Sequence, residues 1–112
     1  MKKLFLILTA ACVCLTAACG TTAGFATEIL EVEGLCGMCK TRIEQTAKEV
    51  EGVTKAEWDR DAKILTLEFD PAKTKLETIS KALAKVGHDT EMDKADNDVY
   101  DALPDCCKYR FI

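Results

Sequence analysis

The chain is short of most of what nucleic-acid binding and catalysis draw on. Basic residues are outnumbered, 15 Lys+Arg against 19 Asp+Glu, for a formal net charge of −4. An acidic chain of this size has no electrostatic footprint for nucleic acid, and that partner is excluded. There is one histidine, His88. No nucleophile–base pair, paired-carboxylate cleft or phosphate-binding glycine loop is visible, so no turnover chemistry is implied. No internal repeat or low-complexity tract is present, and 112 residues leave little room for a second core. Cysteine is what the chain has in excess, with seven.

Lys2 and Lys3 precede an apolar run from Leu4 through Leu15, followed by small residues. That is the pattern of a bacterial export signal over residues 1–18. The run is short for a membrane-crossing helix and lacks a charged stop on its far side. Leu15-Thr16-Ala17-Ala18-Cys19-Gly20 resembles a lipoprotein cleavage box. It makes Cys19 the lipidation site, residues 19–26 a tether, and a lipid anchor the only membrane contact. Gly24-Phe25-Ala26 offers cleavage before Thr27 instead. Either way the product is expected outside the cytoplasm, periplasmic or membrane-anchored. Cys12 and Cys14 leave with the signal, and Cys19, Cys36, Cys39, Cys106 and Cys107 remain. In an exported chain, cysteine pairs read first as disulfides, so any other use must be argued from spacing.

From Thr27, Ile29 and Glu31 alternate with Leu30 and Val32, which predicts a first strand bounded by Gly34. Cys39 to Glu51 carries Ile43, Ala47 and Val50 at helical spacing, with Gly52 as the stop. Val53–Asp59 and Lys63–Phe69 read as strands joined by a tight turn at Arg60-Asp61-Ala62, and Leu65, Leu67 and Phe69 share a face. Thr74 and Glu77 form a capping-box pattern ahead of an apolar stripe of Leu76, Ile79, Leu83 and Val86, ended by Gly87. His88–Met92 is a short polar edge-strand candidate. The order predicts an α+β fold, a ferredoxin-like βαββαβ sandwich over residues 27–93 with both helices on one sheet face. Residues 94–112 form a C-terminal tail carrying Cys106-Cys107 that this fold does not require; Asp96 could cap a short helix there, which Pro104 would end.

Cys36-Gly37-Met38-Cys39 stands at a strand-to-helix junction. Zinc normally wants four ligands, a thioredoxin-type redox couple one pair at a helix start, and a soft-metal carrier two thiolates. Cys39 in the first helical turn should have a lowered pKa, with Cys36 on the loop before it. A two-sulfur loop open to solvent can also pass a metal on, because an incoming thiol binds before the first leaves.

Glu33-Gly34-Leu35-Cys36-Gly37-Met38-Cys39-Lys40-Thr41-Arg42-Ile43-Glu44 resembles the metal loop and first helix of heavy-metal-associated domains. Gly52-Val53, Phe69-Asp70-Pro71 and Val86-Gly87-His88 fall where that family places equivalent features. The resemblance covers about residues 27–93. It implies Cys36 and Cys39 as metal ligands, copper(I) as the cargo, and transient docking to a metal transporter or efflux component. The chain departs from the family at Gly34, where a methionine is usual, while Met38 lies between the cysteines and reads as loop packing. Mercury(II), zinc and cadmium therefore stand beside copper(I).

His88 is expected beside the metal loop, either as a direct ligand or as an imidazole behind the ligands that tunes the site by charge. Adjacent Cys106 and Cys107 seldom pair with each other. They either form a disulfide with Cys36, Cys39 or another molecule, or supply further metal ligands. Reach permits the second: residues 96–105 span up to about 33 Å extended, against about 17–20 Å along the last strand. The Leu-Pro-x-Cys-Cys-x-Tyr ending resembles a subset of exported bacterial heavy-metal-associated proteins. Two other readings stay open, a thiol-disulfide oxidoreductase using Cys36 and Cys39, and a disulfide-stabilised interaction module.

Overall fold

A computed structural model describes residues 24–111; the predicted signal (residues 1–18), the lipidation candidate Cys19 and most of the tether lie outside the described residues. The elements are β1 (Ala26–Glu31), α1 (Gly37–Glu49), β2 (Val53–Asp59), β3 (Ile64–Phe69), α2 (Leu76–Lys85) and α3 (Asn97–Asp101), with 3-10 turns at Asp105–Cys107 and Tyr109–Phe111. No helix among the described residues is long and apolar enough to cross a membrane.

The strands form an antiparallel sheet in the order β1-β3-β2. Leu65 on the central strand is flanked by Leu30 and Trp58. Strand alternation turns these residues, with Val32, Ala56, Leu67 and Phe69, onto one buried face. Cys39, Ile43 and Ala47 of α1 and Ile79 and Leu83 of α2 cover that face at helical spacing. In the β2–β3 turn, Asp59 Oδ1 accepts from the amides of Asp61 and Ala62, and Lys63 adopts φ +62°.

Two expectations are corrected. The fourth strand shrinks to one bridge, Val32 to Thr90, flanked by Glu33 N–H to Asp89 O (2.8 Å) and Glu91 N–H to Glu31 O (3.1 Å). Thr90 Oγ1 accepts from the amides of Met92 and Asp93, so the chain turns back before more pairing can form. The βαββα order with α+β layering is observed, and the last strand survives only as this bridge. The capping box is also not made. Lys75 is the N-cap of α2, and Thr74 Oγ1 is buried without a partner.

The end of α2 is a Schellman motif, with Gly87 N–H to Ala84 O (3.0 Å) and His88 N–H to Leu83 O (3.1 Å). It needs the left-handed conformation that Gly87 adopts at φ +106°. The reversal turns His88 inward. It also opens a seat for Leu103, whose side chain would be within 2.9 Å of a β-carbon at position 87. The tail is thereby part of the core, with Tyr100, Leu103, Cys107 and Tyr109 all buried.

Candidate metal centre

The loop from Glu33 to Cys36 is held from two sides. Lys63 Nζ donates to Gly34 O and Arg60 Nε donates to Leu35 O (2.6 Å), so the β2–β3 turn grips the loop carbonyls. From the other side Asp89 O accepts the Glu33 amide. Beneath it lies Trp58, 1% exposed, with Nε1 donating to Val32 O at 3.0 Å. Cys36 is the N-cap of α1 and Cys39 stands in its first turn.

The structure brings four sulfurs together. Cys36 Sγ lies 3.0 Å from Cys106 Sγ, 3.4 Å from Cys107 Sγ and 3.6 Å from Cys39 Sγ, while the sulfurs of Cys106 and Cys107 are 4.0 Å apart. All four are free thiols. Cys36, Cys106 and Cys107 form a group able to hold a metal ion. Cys39 and Cys107 are buried, Cys36 is half-buried and Cys106 exposed, so the cluster has one solvent-facing side. Met38 is exposed, not packed under the loop, and its Sδ accepts from Cys106 at 3.7 Å.

The electrostatics reverse one expectation. Burial pushes the Cys39 thiol up to about 11, with the Cys107 thiol adding to the rise, although Cys39 begins the helix. Cys36 is the acidic member. Burial disfavours its thiolate, but the Cys106 thiol, the Cys39 backbone amide and the Cys107 thiol outweigh that and bring it down to about 6. Cys106 is raised by its contact with Cys36, and Cys107 by burial. A thiolate at Cys36 at neutral pH is the nucleophile that first meets a soft cation.

His88 is kept apart from the cluster. It is fully buried, and its Nδ1 lies 2.8 Å from Glu33 O, which fixes the proton there. Nε2 then accepts from Arg42 Nη1 at 3.3 Å. Burial holds the imidazole down at about 4, so it is neutral and tunes nothing by charge near pH 7. Arg42 Nη1 also donates to Cys107 Sγ at 3.5 Å, making it a counter-charge to the sulfurs. Sequence reasoning passed over Arg42, although it stands one turn after Cys39 on the same helix; that spacing was the available signal. It also passed over Trp58, the one tryptophan of the chain, and Tyr109.

The chain matches the family described as heavy-metal-associated domain over residues 29–89. It is 33% identical over 63 residues to the copper chaperone CopZ of Staphylococcus aureus (strain bovine RF122 / ET3-1), covering 55% of this chain and 93% of that protein. Among solved structures it resembles a CopZ metallochaperone, with TM-score 0.56 and 30% identity, over 58% of this chain and 98% of that one. It also resembles a copper-binding domain from a P-type ATPase, with TM-score 0.56 and 27% identity, over 58% of this chain and 89% of that one. The family match ends at residue 89, before Cys106 and Cys107.

Proposed function

The chain belongs to the heavy-metal-associated domain family, and on that premise we propose that it captures a thiophilic ion, copper(I) first among them, on the Cys36 and Cys39 thiolates and relays it. The observation that carries this reading is the pairing of an acidic, half-buried Cys36 with Cys39 at 3.6 Å on a pinned loop. Thiolate donors select copper(I), mercury(II), zinc and cadmium over hard cations. Similarity to copper chaperones and to a copper-binding domain of a P-type ATPase supports copper as cargo and a metal transporter as docking partner. No turnover chemistry enters the reading. Export, with Cys19 lipid-anchored, is proposed from the N-terminal sequence pattern.

Anaerobic titration of the reduced protein with copper(I) against a chromophoric chelator tests the reading. About one equivalent should bind, and Cys36→Ser should abolish tight binding. Undiminished binding by Cys36→Ser would overturn it. An acidic thiol beside a buried one also suits a dithiol redox couple. Catalytic reduction of an insulin-type disulfide by the metal-free protein would favour that second reading.

A further inference from the structure

We infer that the C-terminal tail is half of the metal site: Cys106 and Cys107 join the loop cysteines to hold one soft cation in a three- or four-sulfur cage, and the tail acts as a clasp that retains the ion. This rests on the loop reading above and deepens it. The family match stops short of both tail cysteines, so the inference stands on this chain's own geometry.

The sulfur separations carry it. Bonds of about 2.3 Å place two sulfurs about 4.6 Å apart on a line, about 4.0 Å apart in a trigonal plane and about 3.8 Å apart on a tetrahedron. Cys36, Cys106 and Cys107 close a triangle with sides of 3.0, 3.4 and 4.0 Å, and Cys39 Sγ adjoins it 3.6 Å from Cys36. These separations are too short for linear two-sulfur binding and need only an expansion of the triangle for three ligands, with Cys39 placed to join as a fourth through a further shift. The donor set is all sulfur, because both ring nitrogens of His88 are engaged elsewhere. Each thiol that binds gives its proton to solvent, and Arg42 against Cys107 Sγ offsets part of the charge that accumulates.

The tail is built to stay. Tyr109 Oη donates to Gly87 O at 2.5 Å and accepts the Asp89 amide at 2.8 Å. Arg110 reaches Asp89 through two nitrogens, at 2.7 and 3.1 Å, and Ala95 O at 2.8 Å. Tyr100 Oη accepts the Arg110 amide at 2.8 Å. Thiols tethered this firmly compete with a partner's thiols at an effective concentration on the order of millimolar. The intact site therefore retains its ion, and handover requires the tail to lift.

X-ray absorption on the copper(I)-loaded full chain, paired with chelator competition, tests the clasp. The wild type should show three or four sulfurs per copper. Cys106→Ser, at an exposed position, should lose one of them without unfolding the protein. Cys106→Ser with Cys107→Ser should fall to two sulfurs and bind about 100-fold more weakly. Two sulfurs per copper in the wild type, with an affinity that Cys106→Ser leaves unchanged, would overturn the clasp and leave the loop reading standing. Tight binding that survives Cys36→Ser would instead count against the loop reading, so the two failures are distinguishable.

Discussion

The indole of Trp58 fills the space that a side chain at Gly34 would need. A β-carbon on Gly34 would lie 3.0 Å from Trp58 Cη2, 3.1 Å from Cζ2 and 3.1 Å from Cys39 Cβ. Family loops usually carry a methionine at this place, and here the apolar support under the loop comes from β2 instead. Gly34→Met should therefore overpack the loop and cost about 1–3 kcal/mol. Trp58→Val alone should cost about 3 kcal/mol through the cavity it leaves. The double variant should lose less than the two single losses added, because each relieves the other. Urea unfolding of the metal-free proteins supplies the cycle; strictly additive losses would show that the two positions do not share this volume.

Tyr109 closes the tail onto the Schellman turn through the two hydrogen bonds of its hydroxyl. Tyr109→Phe keeps the ring and its stacking with His88 but strands the Gly87 carbonyl and the Asp89 amide. The cost is about 1–3 kcal/mol, concentrated on the tail. Amide hydrogen exchange at Cys107 and Arg110 should speed up about tenfold or more while the β3 amides hold their protection. Equal acceleration everywhere would mean that the tail is not a separately opening unit.

The parts of this molecule legible in the sequence are those set by local periodicity. Alternation in Val53–Asp59 and Ile64–Phe69 found both strands, and Cys36 with Cys39 stood out by spacing at a strand–helix junction. What failed depended on side-chain hydrogen bonds, burial and distant contacts that periodicity does not show. His88–Met92 has strand-like composition, but Thr90 spends its hydroxyl on Met92 and Asp93 and ends the pairing. Cys39 has the helix-start position of an acidic thiol, yet burial overrides the helix, and burial is not visible in a four-residue motif. Leu103 and Tyr109 find their partners at Gly87 and Asp89, so nothing local marks the tail as core.

His88 makes the fold sensitive to mild acid. Burial, the largest influence, and the positive charge of Arg42 hold its pKa at about 4, against 6.5 for a free imidazole. Below pH 6.5 the unfolded chain takes up a proton that the native protein refuses. Stability from this group is fully present above pH 6.5 and is lost progressively toward pH 4, roughly 3 kcal/mol in all. Asp89 extends the loss further down. Although burial opposes its ionisation, the Arg110 guanidinium outweighs that and lowers its pKa, so its contribution disappears only below the usual carboxylate range. The urea midpoint of the metal-free protein should fall between about pH 7.5 and about pH 5, and His88→Asn should lessen that slope, leaving the part that the acidic Cys36 contributes above about 6. A wild-type midpoint constant across this range would refute the assignment.

Arg42 links the buried imidazole to the sulfurs, and its removal should be felt in metal affinity more than in fold. Nη1 serves both His88 Nε2 at 3.3 Å and Cys107 Sγ at 3.5 Å. Arg42→Gln withdraws a positive charge from a thiol that must lose its proton before it binds. The site should then bind copper(I) about tenfold more weakly near pH 7, the order expected when one ionic hydrogen bond to a partly exposed group is lost. The deficit should hold constant at and below neutral pH, where Cys107 is a thiol in either protein, and shrink as pH rises past its raised pKa, where no proton is left to displace. Arg42→Lys should recover only part of the loss, since an ammonium lacks the planar fork of donors. Chelator competition at two pH values reads this directly. An affinity loss that stays the same from neutral to strongly alkaline pH would mean that Arg42 acts by packing and not by stabilising the thiolate.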